Sequence, residues 1–117
     1  MYAFAVLASL TLTLLNASPV SAVDGGFTLM DNTDGCDVIM TTACGCSATV
    51  NVASGSCESQ TQFLSIYSVC EAGDSFFIGF DQESLYPVTY ENADGSCVVG
   101  CDFESKNSGY YCSGQAD

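Results

Sequence analysis

The sequence has no histidine, no arginine and no tryptophan, and Lys106 is its one basic side chain. These absences exclude most catalytic chemistry. A Ser–His triad, a Cys–His dyad and an arginine clamp cannot be assembled from these residues. Paired carboxylates would still allow glycoside hydrolysis, but a chain this short offers little room for a substrate cleft. A non-enzymatic protein is therefore expected, with no catalytic residue, no cofactor and no metal. The shortage of cations has a second consequence. Fourteen acidic residues give a formal net charge of −13, and such a polyanion repels nucleic acid and anionic lipid. Charged partners, if any, should be basic.

The chain opens on "MYAFAVLASLTLTLL", an uncharged apolar run followed by "NASPVSA". Small residues at Val20 and Ala22 match the positions a signal peptidase reads, so residues 1–22 read as a secretory signal peptide cleaved after Ala22. The run is shorter than the roughly 20 apolar residues of a membrane span, and no second such run follows. A secreted, extracellular protein without membrane insertion is expected. The only N-linked acceptor triplet, "NAS" at Asn16, falls inside this leader.

The remainder, Val23 to Asp117, is short enough for one domain and too short to be stable on a large core alone. Residues 23–35, rich in Gly, Asp and Asn, read as a flexible arm, and residues 36–117 as a single disulfide-stapled domain. All eight cysteines lie in that domain: Cys36, Cys44, Cys46, Cys57, Cys70, Cys97, Cys101 and Cys112. An even count in a short exported chain implies four disulfides. Eight cysteines can pair in about a hundred ways, so connectivity stays open. A bridge from Cys36 to Cys112, tying the two ends of the domain, is one expectation.

From Val38 to Val52 the even positions are Val38, Met40, Thr42, Cys44, Cys46, Ala48, Val50 and Val52, while the odd ones are mostly small or polar. This alternation predicts one strand, with Gly45 as a bulge or bend. The period then changes. Phe63, Ile66, Tyr67 and Cys70 fall at i, i+3, i+4 and i+7, and Ser59 with Gln62 resembles a capping box, which predicts a helix from about Cys57 to Ala72 ending near Gly73. Strands follow at "DSFFIGFD", "YPVTYE" and "SCVVGCDF", with turns at "ENADGS" and "ESKNSG" and a short last strand at "YYC". Pro87 suggests an edge strand. Phe76, Phe77, Phe80, Tyr86, Tyr90, Tyr110 and Tyr111 read mostly as core, with Phe77 the aromatic most expected to be exposed. The resulting fold class is α+β: a small disulfide-rich sandwich with one main helix on a four- or five-stranded, mostly antiparallel sheet.

"ACGC" invites three explanations. Zinc sites use wider knuckles, commonly with histidine, and dithiol redox sites use C-x-x-C at a helix start. Two cysteines one residue apart on a strand point the same way and bond poorly to each other. Each should therefore bridge to a different element, with Cys57 or Cys70 and Cys97 or Cys101 as natural partners. The acidic turns "DNTDGCD" and "YENADGS" do not complete a calcium loop.

An apolar leader, a short domain with eight cysteines and a "CGC" strand resemble the small cysteine-rich proteins secreted by fungi, including host-directed effectors and killer toxins. Within that group the pattern looks most like the smut-virus killer toxin family. The resemblance implies an α/β sandwich and an extracellular effector or toxin that binds an extracellular protein or cell-surface target. In that family two cysteines precede the C-x-C pair and here only Cys36 does, so no pairing is carried across. An inhibitor of an extracellular hydrolase, working through the loop Asn92 to Ser96, is the alternative expectation. A structural surface or matrix protein of the producer is a third.

Overall fold

The computed structural model describes residues 25–116. The expected signal peptide, residues 1–22, lies outside them. Among the described residues, nine strands form two antiparallel sheets. The first has the order β3-β2-β1-β8, built from β1 (Gly25–Asn32), β2 (Gly35–Thr42), β3 (Ser47–Ala53) and β8 (Tyr111–Ser113). The second has the order β4-β5-β6-β7-β9, built from β4 (Phe63–Tyr67), β5 (Ser75–Gly79), β6 (Tyr86–Glu91), β7 (Val98–Phe103) and β9 (Gln115–Ala116). The fold is all-β, and the expected α+β class with one main helix is overturned. Residues Cys57–Ser59 make a single 3-10 turn, and the rest of the expected helix is a three-residue link, β4 and the turn after it.

The cause lies in "FLSIY". Leu64 and Ile66 are half-buried and pack on the core, whereas Phe63 and Tyr67 are 61% and 68% exposed. The side chains alternate, as strand residues must. The helical spacing counted Phe63 and Tyr67 as inward and passed over Leu64. Ser59 and Gln62 form no capping box either: Ser59 Oγ donates to the Ser56 carbonyl, and Gln62 Nε2 to Gln60 Oε1.

The segment read as a flexible arm contains β1, an inner strand of its sheet, which buries Phe27 and Leu29 completely. Nor is Val38–Val52 a single strand. It is a hairpin, with β2 and β3 joined through Ala43 to Cys46, closed by the Gly45 N–H on the Thr42 carbonyl and by Thr42 Oγ1 on the Cys46 carbonyl. The loop length keeps parity: Met40 pairs with Ala48 and Val38 with Val50. The even residues thus stay on the inner face through the reversal. Pro87 lies in β6, an inner strand rather than the expected edge. It is tolerated because the β5–β6 ladder stops one position earlier, at Ile78 with Val88.

One core joins the sheets. Phe27, Leu29, Val38 and Met40 face Phe76, Ile78, Val88, Tyr90, Val99 and Phe103, all within one buried cluster. At Gly114 the chain passes from the first sheet to the second, since Ser113 pairs with Gly26 and Gln115 with Gly100. Strands that change sheet in this way make the corner of a sandwich. On the far side, the β1–β2 turn depends on Gly35. Its φ is +117°, and a Cβ there would lie 2.0 Å from the Ala53 carbonyl oxygen. Gly35→Ala is expected to destabilise the domain by about 3 kcal/mol, from backbone strain and that collision. A thermal melt of the variant against the parent checks it.

Candidate functional site

The eight cysteines form four disulfides: Cys36–Cys57, Cys44–Cys97, Cys46–Cys70 and Cys101–Cys112. The expected Cys36–Cys112 bridge is not formed. Cys112 on β8 reaches Cys101 on β7 across the core, and Cys36 on β2 reaches the 3-10 turn, whose Cys57 N–H also bonds Asp31 Oδ1 at 2.8 Å. Cys44 and Cys46 do go to different elements. One joins the β2–β3 turn to the end of the β6–β7 turn, and the other joins it to the β4–β5 turn. With Cys101–Cys112, three bridges connect the two sheets.

Beside the Cys46–Cys70 bridge lies Asp74, the one fully buried carboxylate among the described residues. It accepts the N–H groups of Val69 at 2.6 Å, Cys70 at 2.8 Å and Glu71 at 3.0 Å, and the Tyr90 hydroxyl at 2.6 Å. Burial works against its ionisation, but Tyr90 and the three backbone donors outweigh it and hold the pKa at about 2. Burial, then the hydrogen bond to Asp74 and its charge, push the Tyr90 hydroxyl well above its ordinary range. A carboxylate with a lowered folded pKa stabilises above its unfolded value, and loses that contribution as pH falls through the folded one. The domain is therefore expected to lose stability between about pH 4 and pH 2. Asp74→Asn should flatten that part of a melting-temperature-against-pH curve.

Cys46, Cys70 and Asp74 bring their ligand atoms within 4.8 Å of one another. As they stand they are no metal centre, because the sulfurs are bonded together and the carboxylate is occupied by four donors. Asp37 is likewise committed. Desolvation raises its pKa, but the amides of Asn32 and Asn51 bring it below the usual value. Asn32 and Asn51 donate to its two oxygens at 2.8 and 2.9 Å.

The loop Asn92 to Ser96 is closed on itself. Asn92 N–H bonds the Cys97 carbonyl, Cys97 N–H bonds Asn92 Oδ1, Ser96 N–H bonds Asp94 Oδ1, and Ala93 N–H bonds Glu71 Oε2. It is a pinned hairpin turn. Lys106 is also engaged internally. Its ammonium donates to the Gln60 carbonyl and stands 5.3 Å from the centre of the Tyr86 ring.

What remains is the outer face of the five-stranded sheet. Register sets its side chains in rows: Phe63 beside Gly79, then Ser65, Phe77, Thr89 and Gly100 in line, then Tyr67, Ser75, Glu91 and Val98. Phe63 and Phe77 touch with ring centres 6.1 Å apart. Beyond them a shallow open groove of about 310 Å³ is lined by Pro87, Thr89, Val98, Gly100, Asp102 and Gln115. Phe77 is on this face but half-buried, and Phe63 and Tyr67 are the prominent aromatics. A period-two count including Leu64 would have found them. Small neighbours at Gly79, Ser65 and Ser75 leave the rings standing above their surroundings. Such aromatic area suits contact with a partner.

Comparison with family models, curated proteins and solved structures gives no match for this chain. Among the described residues no helix is long and apolar enough to cross a membrane. Four disulfides in a domain of this size fit an extracellular protein.

Proposed function

We propose that this is a secreted effector- or toxin-like protein that acts outside the producing cell, on a host or competitor, by binding and not by catalysis. The observation that carries this reading is the pair of exposed rings, Phe63 and Tyr67, on a sheet tied to its partner sheet by three disulfides. A rigid frame presenting aromatic area pays little ordering entropy on association. The same frame commits its buried carboxylate and its one lysine to internal bonds. The likeness to fungal secreted cysteine-rich proteins supports another organism as the site of action, and the target class is an extracellular or cell-surface protein.

The test is a binding screen of the secreted protein against cell surfaces and extracellular proteins of candidate target organisms, run beside a Phe63→Ser, Tyr67→Ser double variant. Binding by the parent, weakened at least about tenfold in a variant with unchanged melting, is expected. Equal binding by both, or none by the parent, removes the aromatic face as the functional surface.

A further inference from the structure

We propose that β4 is a docking edge, to which an extended basic segment of the partner adds as a further strand of the five-stranded sheet; this rests on the binding reading above and names the partner's chemistry. Among the described residues, strand β4 is the last in its sheet. The Gln62 carbonyl accepts from Phe80 N–H, and Ser68 N–H donates to the Asp74 carbonyl. Bonds to β5 therefore fall at even positions, and antiparallel alternation turns the N–H and C=O groups of Phe63, Ser65 and Tyr67 to the open side. That is a row of three donors and three acceptors.

The other edges are managed and this one is not. Strands β8 and β9 have three and two residues, and β3 is broken by a register shift opposite Cys36 and Asp37. Strand β4 pairs regularly along all five residues. It has no proline and no lysine, and no charged residue stands between Ser59 and Cys70. Natural edges of this kind are normally blunted by one of those devices. An edge left regular and uncharged, with alternate side chains standing proud, is what strand addition uses.

Charge selects the occupant. Asp81 Oδ1 lies 3.3 Å from where a Cβ on Gly79 would be, and Gly79 is the cross-strand neighbour of Phe63. Glu91 lies in the row of Tyr67. The aromatic face thus has an acid toward each end, while the one basic side chain is bonded inward. A second copy would bring the same acids to the same edge and be repelled. A segment with basic side chains at alternate positions meets them favourably.

The test uses the secreted protein with two synthetic octapeptides, one alternating threonine with arginine and one alternating threonine with glutamate, at about 0.15 M salt, where long-range attraction is screened. Amide hydrogen exchange is read residue by residue by NMR. The expected result is at least about tenfold slower exchange at Phe63, Ser65 and Tyr67 with the arginine peptide and no change with the glutamate peptide. Ser65→Pro removes an outward N–H that β5 does not use and should abolish the effect. Ser65→Lys keeps that N–H, adds a repelling charge and should weaken binding at least about tenfold, which decides the matter if the proline variant misfolds. Arginine-peptide binding that spares the three amides, or that is equal in both variants, overturns strand addition. Protection already present without peptide, rising with protein concentration alongside a dimer mass, overturns the basic partner in favour of a second copy. The surface screen separates the two readings. If Ser65→Pro binds its target like the parent while Phe63→Ser, Tyr67→Ser does not, strand addition falls and the aromatic face stands.

Discussion

Asp74→Ala is expected to destabilise the domain by about 3–5 kcal/mol, because it strands three backbone N–H groups and a buried tyrosine hydroxyl at once. For a domain of this size that lowers the melting temperature by about 15–30 °C. The alanine leaves a hole in which no other acceptor replaces the carboxylate. Tyr90→Phe removes only one of the four donors and should cost about 1–2 kcal/mol. Asp74→Asn retains one acceptor oxygen but adds an N–H₂ group facing donors, so it should fall between the two. Thermal melts of the three variants at neutral pH test the order. Similar melting for Asp74→Ala and the parent would show that the β4–β5 turn holds its shape without the carboxylate.

Removing the bridges of the "CGC" turn in pairs should cost comparable amounts. Cys44 and Cys97 are 53 residues apart and Cys46 and Cys70 are 24 apart. Loop-closure entropy then assigns about 4 kcal/mol to the first bridge and about 3.5 to the second. Paired serine replacement, Cys44→Ser with Cys97→Ser or Cys46→Ser with Cys70→Ser, avoids an orphan thiol and measures each bridge alone. Both variants should melt well below the parent, and the first should melt lowest. Together the two bridges fasten one turn of the four-stranded sheet to two turns of the other sheet. Losing both should therefore exceed what a domain of ordinary stability tolerates. Secretion yield and denaturant midpoint report this, and normal midpoints in both pair variants would deny the turn its structural role.

Much of this arrangement was legible where side-chain parity decides the answer. The inward set from Val38 to Val52 survives a chain reversal that the sequence did not disclose, because the turn pairs even residues with even ones. Cys44 and Cys46 still reach separate partners, but from the turn between β2 and β3 and not from a strand. Where two periods compete over few residues, the pattern fails. Phe63, Ile66, Tyr67 and Cys70 satisfy a helix and Leu64 with Ile66 a strand, and the tertiary core chose the pair that it could cover. β-branched and aromatic content favoured the strand as well. Gly25 to Asn32 looked like an arm because its polar ends mask the alternating Phe27 and Leu29. Asp74 gave no signal at all. Its partners are backbone groups of a turn, and no residue spacing records them. Connectivity was equally hidden, since the Cys101–Cys112 bridge depends on β8 and β7 facing each other from opposite sheets.

The inward commitment of Lys106 has a consequence for digestion. Enzymes that cleave after lysine or arginine have one candidate bond in the whole sequence, Lys106–Asn107. To be cut there, the lysine must leave the Gln60 carbonyl and the Tyr86 ring and enter the enzyme's own pocket. The folded protein therefore offers trypsin-like activities almost nothing to recognise, whatever the density of such enzymes around it. Proteases that read aromatic residues instead find Phe63, Tyr67 and Tyr111 standing in the open, two of them on β4.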